Sequence, residues 1–323
     1  MNKSVFITGA NGGMGIETIK KLIDQKVKRI VMACRTDQKA VNARSEVITT
    51  SNTSDTKLEA YGGFDMTNPT AIELAVNSLP SNQVFDIVFL QAGGVIFTKE
   101  FQYIQISGLK FEKTIFQNVI GPYITLFHLY RRGLIAPDAR IVYAGGEGAR
   151  GIPGMMEKPE FQSTKKLSDY ILGKNIHQKY NPMSAMGISK LMGALMVTKL
   201  SKTLPQTSEI LWFSPGLTYG TNGLASKPKL ERWFLEKVGF GMMALLGMAQ
   251  SPERAAQKYV DSLTAKVGKN GDIIGAPQGK ALGKLSDQKP MNSAFTDQNL
   301  IDEFWKILSE NFSPIDFKSD IRV

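Results

Sequence analysis

Ser4-Val5-Phe6-Ile7-Thr8-Gly9-Ala10-Asn11-Gly12-Gly13-Met14-Gly15 is the stretch that decides the fold. Its first five residues read as a buried strand. A turn with four glycines follows and opens a helix that carries Ile16, Ile19, Leu22 and Ile23 on one stripe. Strand, glycine-rich turn and amphipathic helix, in that order, form the frame in which such a turn binds a dinucleotide. Gly9 permits the tight turn, Gly13 lets the backbone approach a pyrophosphate, and Gly15 lets the helix pack close to the strand. Asn11 and Met14 belong to the same cradle, where the free N–H groups of the helix start face the anion.

Outward from that unit, short apolar runs keep alternating with helical patterns, which predicts a doubly wound, Rossmann-type α/β fold with a parallel sheet covered on both faces. Further strands are expected at Arg29 to Ala33, Leu58 to Phe64, Phe85 to Leu90, Arg140 to Ala144 and Glu209 to Phe213, with Asp272 to Gly275 as a seventh at the edge. Long helices fit Lys110 to Arg132 and Ser184 to Leu204. Ser251-Pro252-Glu253 starts another with the residues of an N-cap, and Thr296 to Asn311 carries Leu300, Phe304 and Leu308 along one face. No linker or repeat divides the 323 residues, so a single domain is expected, with a core over 1–223 and a substrate cap plus C-terminal elements over 224–323.

Composition excludes several function classes. Cys34 is alone and the histidines are His128 and His177, which leaves no cysteine- or histidine-based metal centre and no internal disulfide. The net charge of +10 is spread along the chain, apart from Lys227, Lys229 and Arg232 and pairs such as Lys165-Lys166, so no nucleic-acid stripe is expected. Neither a signal peptide nor a membrane span is read, and a reducing cytoplasm is the expected compartment.

The spacing Thr8-Gly9-x-x-x-Gly13-x-Gly15 resembles the fingerprint of the short-chain dehydrogenase/reductase family. Further similarities fall in order. Asp65-Met66 resembles the family's pair at the adenine, and Gln91-Ala92-Gly93 its Asn-Ala-Gly, with Gln in place of Asn. Asn118 resembles the helix asparagine that anchors a proton-relay water. Lys190 resembles the lysine that holds the nicotinamide ribose, and Pro215-Gly216 with Thr218 the loop over the nicotinamide amide. The resemblance spans about residues 3 to 265. Where NAD-specific relatives place an acid, the second strand ends in Ala33-Cys34-Arg35-Thr36; a guanidinium there suits a 2′-phosphate, which implies NADP(H). That dipeptide pattern also resembles the subgroup of protochlorophyllide reductases and retinol dehydrogenases.

The catalytic part departs from the family. Its Tyr-x-x-x-Lys works because residues four apart share a helix face, so that the lysine lowers the phenol pKa for proton transfer. Four residues before Lys190 stands Met186, whose thioether donates no proton. After the fifth strand, where a serine is expected, stand Gly145-Gly146. Tyr180 lies ten residues before Lys190, on another face, with Asn181-Pro182 interrupting any helix between, and is rejected as a replacement. Glu147 is a candidate acid that also reads as a solvated loop carboxylate; Tyr143 reads as core and Tyr219 as part of the Pro-Gly loop.

Trp233 to Gln250 is rich in Phe, Leu and Met. The segment suits a cap over a bulky apolar substrate, a helix pair buried against the domain or a neighbouring subunit, or a peripheral membrane contact beside Lys227 and Lys229. Gly145 to Gly154 is expected to form a mobile opposite wall. Two functions remain open: an NADP(H)-dependent reductase of a lipophilic carbonyl or conjugated double bond with an atypical site, or a catalytically silent NADP(H)-binding sensor or scaffold. Either would be a monomer or a homodimer.

Overall fold

The computed structural model of the chain describes residues 1–176, 178–205, 207–219 and 248–312. Strands β1 (Ser4–Thr8), β2 (Arg29–Ala33), β3 (Lys57–Tyr61), β4 (Phe85–Leu90), β7 (Ile135–Ala144), β8 (Glu209–Phe213), β9 (Ile273–Gly275) and β10 (Ser286–Asp287) form one sheet in the order β10-β9-β8-β7-β4-β1-β2-β3. Every neighbouring pair is parallel except β10 against β9. A separate hairpin is made by β5 (Tyr103–Ile106) and β6 (Leu109–Glu112).

Because strand side chains alternate, each central strand feeds two cores. Phe6, Val31, Val88 and Ile141 point to one face, Val5, Ile30, Ile87 and Val142 to the other. The first face packs on α3 (Pro69–Asn77), α4 (Lys113–Arg131), α6 (Pro182–Thr203) and α8 (Gln298–Phe312). The second packs on α1 (Gly13–Asp24), α2 (Asp37–Thr50) and α7 (Pro252–Leu263), with α5 (Thr164–Ile171) beside α8. The stripe Ile16, Ile19, Leu22 and Ile23 is buried on the second face as the periodicity requires. Among the described residues no helix is long and apolar enough to cross a membrane.

Four expected boundaries are corrected. The third strand stops at Tyr61 because Gly62 and Gly63 turn the chain; a Cβ on Gly62 would lie 2.1 Å from the Asp37 nitrogen. The fifth runs back to Ile135, past the expected start at Arg140. The seventh is not the edge, since β10 pairs outside it. The helix expected from Lys110 begins at Lys113: Ser107 and Gly108 take positive φ (50° and 82°), fold residues 103–112 into the hairpin, and leave Glu112 to cap α4 through the Ile115 N–H. Within α4, Phe116–Ile120 is a π-helical turn. Pro122 lacks the N–H that would bond the Asn118 carbonyl, so the regular ladder cannot run through.

Asn181-Pro182 opens α6 rather than interrupting it, with the Asn181 side chain accepting the N–H groups of Met183 and Ser184. Two glycines set how close α6 comes to the sheet. A Cβ on Gly193 would stand 2.3 Å from the buried Tyr143 ring, and one on Gly187 2.8 Å from the Gly148 carbonyl. Gly193→Ala is therefore expected to destabilise the fold by about 3 kcal/mol through overpacking, read as a lower urea midpoint at unchanged m-value.

Candidate functional site

The glycine turn has the geometry the sequence implies. Gly9 takes φ +67° and donates its N–H to the Ala33 carbonyl at 2.9 Å; a Cβ there would meet the Ala92 backbone at 3.0 Å. A Cβ on Gly15 would lie 2.7 Å from the Gly9 carbonyl oxygen. Thr8 ties the two strand ends together, its hydroxyl oxygen accepting from the N–H groups of Gln91 and Ala92 at 3.0 Å each. Gly12 caps α1 with no side-chain hydrogen bond, and no acid stands in the first turn. The helix start beside Asn11, Gly13 and Met14 thus keeps its N–H groups and partial positive charge for an anion.

Behind the turn lies Cys34, 1% exposed, whose sulfur accepts from the Ala10 and Asn11 amides. Burial outweighs those bonds and pushes the thiol up to about 11. Arg35 is exposed and has no ion-pair partner among the described residues. Asp37, the nearest acid, is turned to the other side, accepting the Gly62 N–H at 2.9 Å. Asp65 folds into an Asx turn with Thr67, while the Met66 side chain is buried toward α4, its sulfur taking the Thr125 hydroxyl. Met66 thus packs backbone as well as side chain on α4, where a Cβ on Gly121 would lie 2.3 Å from its carbonyl oxygen.

Asn118 is bonded within the protein through its side chain and its carbonyl. Its Oδ1 accepts the Gly94 N–H at 2.8 Å, and its Nδ2 donates to the carbonyls of Gly94 (3.1 Å) and Thr114 (2.8 Å). The amide clamps the loop after β4, and a Cβ on Gly93 would lie 2.3 Å from that Oδ1. The Asn118 carbonyl, left by Pro122 without an i+4 donor, accepts the Tyr143 hydroxyl at 2.7 Å. Burial raises the Tyr143 phenol far above its ordinary value, so it stays a neutral donor.

Lys190 reaches the same strand end. Its Nζ donates to the Ala144 carbonyl at 2.6 Å and sits 5.7 Å from the Tyr143 ring centroid. Burial lowers the ammonium to about 8, with Glu147 opposing that fall. Met186 is half-buried one turn earlier, and the Ser189 hydroxyl bonds its carbonyl. The two positions expected to hold serine are filled from elsewhere. A Cβ on Gly145 would lie 2.4 Å from the Trp212 ring, whose Nε1 donates to the Lys190 carbonyl at 3.1 Å; one on Gly146 would meet the Lys190 stem at 3.2 Å.

Within Gly145 to Gly154 the burial is uneven, with Pro153 and Gly154 exposed. Glu147 to Ile152 are buried, and the Met156 methyl inserts against Gly148. Glu147 is not solvated: it accepts from the Ser214 hydroxyl and the Ala276 N–H. Next to Ser214, the Pro215 carbonyl is held by Gln250 Nε2 (2.6 Å) and Lys258 Nζ (2.8 Å), Gly216 takes φ +96°, and the Thr218 hydroxyl closes back on Gly216. Tyr180 is committed at a distance from Lys190, to the Ile96 carbonyl and Thr114. Trp233 to Gly247, the Lys227–Arg232 cluster and His177 lie outside the described residues, so the cap expectation is not met or refused by them. Sequence reading missed Trp212, Gly193, Ser214 and Lys258. A Trp closing a core strand opposite two glycines is the signal that was there to find.

No protein-family model matches the chain. A short-chain dehydrogenase of Aspergillus ruber is 22% identical over 224 residues, 68% of this chain and 61% of that protein, so the chain spans under two thirds of its length. A short-chain type dehydrogenase/reductase of Mycobacterium ulcerans superposes with TM-score 0.61 at 15% identity, covering 94% of this chain and 98% of the other. The fold is that of a short-chain dehydrogenase/reductase. An NADPH-dependent 3-quinuclidinone reductase of Rhodotorula rubra gives TM-score 0.55 at 14% identity over 83% and 87% of the two chains. At these identities the structures share the architecture alone.

Two measurements check this packing. Gly145→Ser should cost at least about 3 kcal/mol, because an indole cannot yield, whereas Gly146→Ser should cost about 1 kcal/mol or less, because a lysine stem can; equal losses would contradict the geometry. Cys34 should resist a disulfide reagent at neutral pH in the native protein and react on unfolding.

Proposed function

We propose that this chain is an NADP(H)-dependent oxidoreductase of the short-chain dehydrogenase/reductase type, acting on a lipophilic carbonyl or conjugated double bond without the usual Tyr-Ser pair. The observation that carries the reading is the uncapped glycine turn with Arg35 beside it, which has no ion-pair partner among the described residues. The residues present fit the cofactor. Gly9, Asn11, Gly13, Met14 and Gly15 would hold the pyrophosphate and Arg35 the 2′-phosphate. Asp65 and Met66 would lie at the adenine, Ala92 and Gly93 along the ribose side. Lys190 would hold the nicotinamide ribose, and Pro215, Gly216 and Thr218 the amide. When bound, the nicotinamide supplies the hydride.

The chain's own part is the proton. Met186 has none to give, and the Tyr143 phenol is buried on the Asn118 carbonyl. Lys190 Nζ has one donor on Ala144, and an ammonium carries three. Lowered to about 8, it can release a proton at Nζ near neutral pH and regain it from water. The thioethers of Met186 and Met156 beside it suit an apolar substrate.

A second reading, a catalytically silent NADP(H)-binding protein, is favoured by one observation. The Asn118 carbonyl, the family's anchor for relay water, is taken by Tyr143. Fluorescence quenching of NADPH tests what the two readings share, and Arg35→Ala should weaken NADPH roughly 10- to 100-fold while leaving NADH within about threefold. Turnover separates them. NADPH oxidation across apolar aldehydes, ketones and enones should appear in the native protein and fall at least about 100-fold in Lys190→Arg, which keeps a cation but releases no proton. Silence across that panel would leave the second reading.

A further inference from the structure

Glu147 is 5% exposed at the carboxyl ends of β7, β8 and β9. Its Oε2 accepts the Ser214 hydroxyl at 2.7 Å and its Oε1 the Ala276 N–H at 3.0 Å; a Cβ on Gly275 would lie 3.1 Å from Oε1. Three cations on three elements feel its charge without forming an ion pair to it within 4.0 Å: Lys190 on α6, Lys258 on α7, and Arg150 on the 3₁₀ turn that begins with Glu147 itself. Burial drives each toward its neutral form, and for each Glu147 is the charge that resists. The Tyr259 phenol of α7 also feels it, and the Tyr143 ring lies under Lys190. One carboxylate thus balances three cations. Arg150 is separately bonded to the Gln288 side chain and to the Gly151, Ala276, Pro277 and Lys280 carbonyls, so it does not depend on Glu147 for partners.

Two chemically distinct features trace back to this one side chain. Ser214 precedes Pro215, and its oxygen accepts the Gly216 N–H at 3.4 Å; Lys258, which feels the carboxylate, holds the Pro215 carbonyl. Lys190, which has no other acid acting on it, carries the proton. A buried carboxylate used for packing alone would be less costly as an apolar residue. We infer that Glu147 is the positioning residue of this crevice: through Ser214 it fixes the Pro215-Gly216 loop, and through its charge it keeps the Lys190 amine protonated. The inference takes its meaning for catalysis from the proposed function, but its test does not require turnover.

The test reads the Lys190 amine directly. Acetic anhydride labelling from about pH 6 to about pH 10, with modification at Lys190 measured by peptide mass spectrometry in the absence of nucleotide, should give a midpoint of about 8. Glu147→Gln keeps the shape and removes the charge; its amide oxygen can still accept the Ala276 N–H, while its NH2 donates to the Ser214 oxygen in place of accepting from it. It should raise labelling at neutral pH roughly fivefold, the amount a one-unit fall from about 8 gives at pH 7. Ser214→Ala keeps the charge and removes the hydroxyl. It should leave the midpoint in place and speed amide exchange at Gly216. Should Glu147→Gln fail to fold, Glu147→Asp decides the charge claim by retaining the native midpoint. The inference is overturned if Glu147→Gln titrates like the native protein, if Glu147→Asp loses the midpoint, or if Ser214→Ala moves it as far as Glu147→Gln. NADPH quenching run on the same samples is a separate arm: native protein that ignores NADPH would sink the proposed function and leave the labelling result standing.

Discussion

Two aromatic rings seated on two glycines determine the rest of this structure. Trp212 closes over Gly145 and Tyr143 over Gly193, so α6 is held against the sheet at a distance those contacts set. Lys190 rides on that helix between them, and the length of its side chain then leaves Nζ at the Ala144 carbonyl. The space at 145 is indole, and the hydroxyl that reaches the Asn118 carbonyl comes from the sheet rather than from α6. The Trp212 packing accounts for the glycine at 145; nothing in the structure explains Met186.

The electrostatics follow from that packing. Parallel strands deliver their carboxyl ends, and the backbone dipoles of the following turns, to one edge. The glycine turn and Arg35 make the β1–β2 part of that edge positive, and Lys190, Lys258 and Arg150 do the same near β7 and β8. A single buried carboxylate stands among the second group. Burial makes Lys190 less basic than an exposed lysine.

Much of the fold was legible because it rests on periodicity. Val5, Phe6 and Ile7 alternate between two cores, and the Ile16–Ile23 stripe can face one way only. The glycine turn was equally legible, since close backbone approach leaves glycine as the residue that fits at 9 and 15. What sequence could not give were interactions that link distant segments. Tyr143 and Gly193 are fifty positions apart, and Glu147 meets Ser214 and Ala276 only once the strands are laid side by side. The Lys110 boundary was missed for a local reason: an amphipathic pattern continues through the hairpin, and the decisive feature is the positive φ at Ser107 and Gly108. Asn118 was legible on its helix, but the bonds of its amide to Gly94 and of its carbonyl to the Tyr143 hydroxyl join segments distant in sequence.

The short strand β10 carries a consequence for assembly. A growing sheet recruits a neighbour through a row of unpaired backbone groups, and here that flank ends in two residues running against their partner, followed by 3₁₀ turns at Lys289–Met291 and Ser293–Thr296. Such a border offers a second molecule almost no ladder to zip onto. Copies of this chain that associate on that side must meet through side chains on helices, where specificity is written residue by residue, rather than by extending one continuous sheet across both.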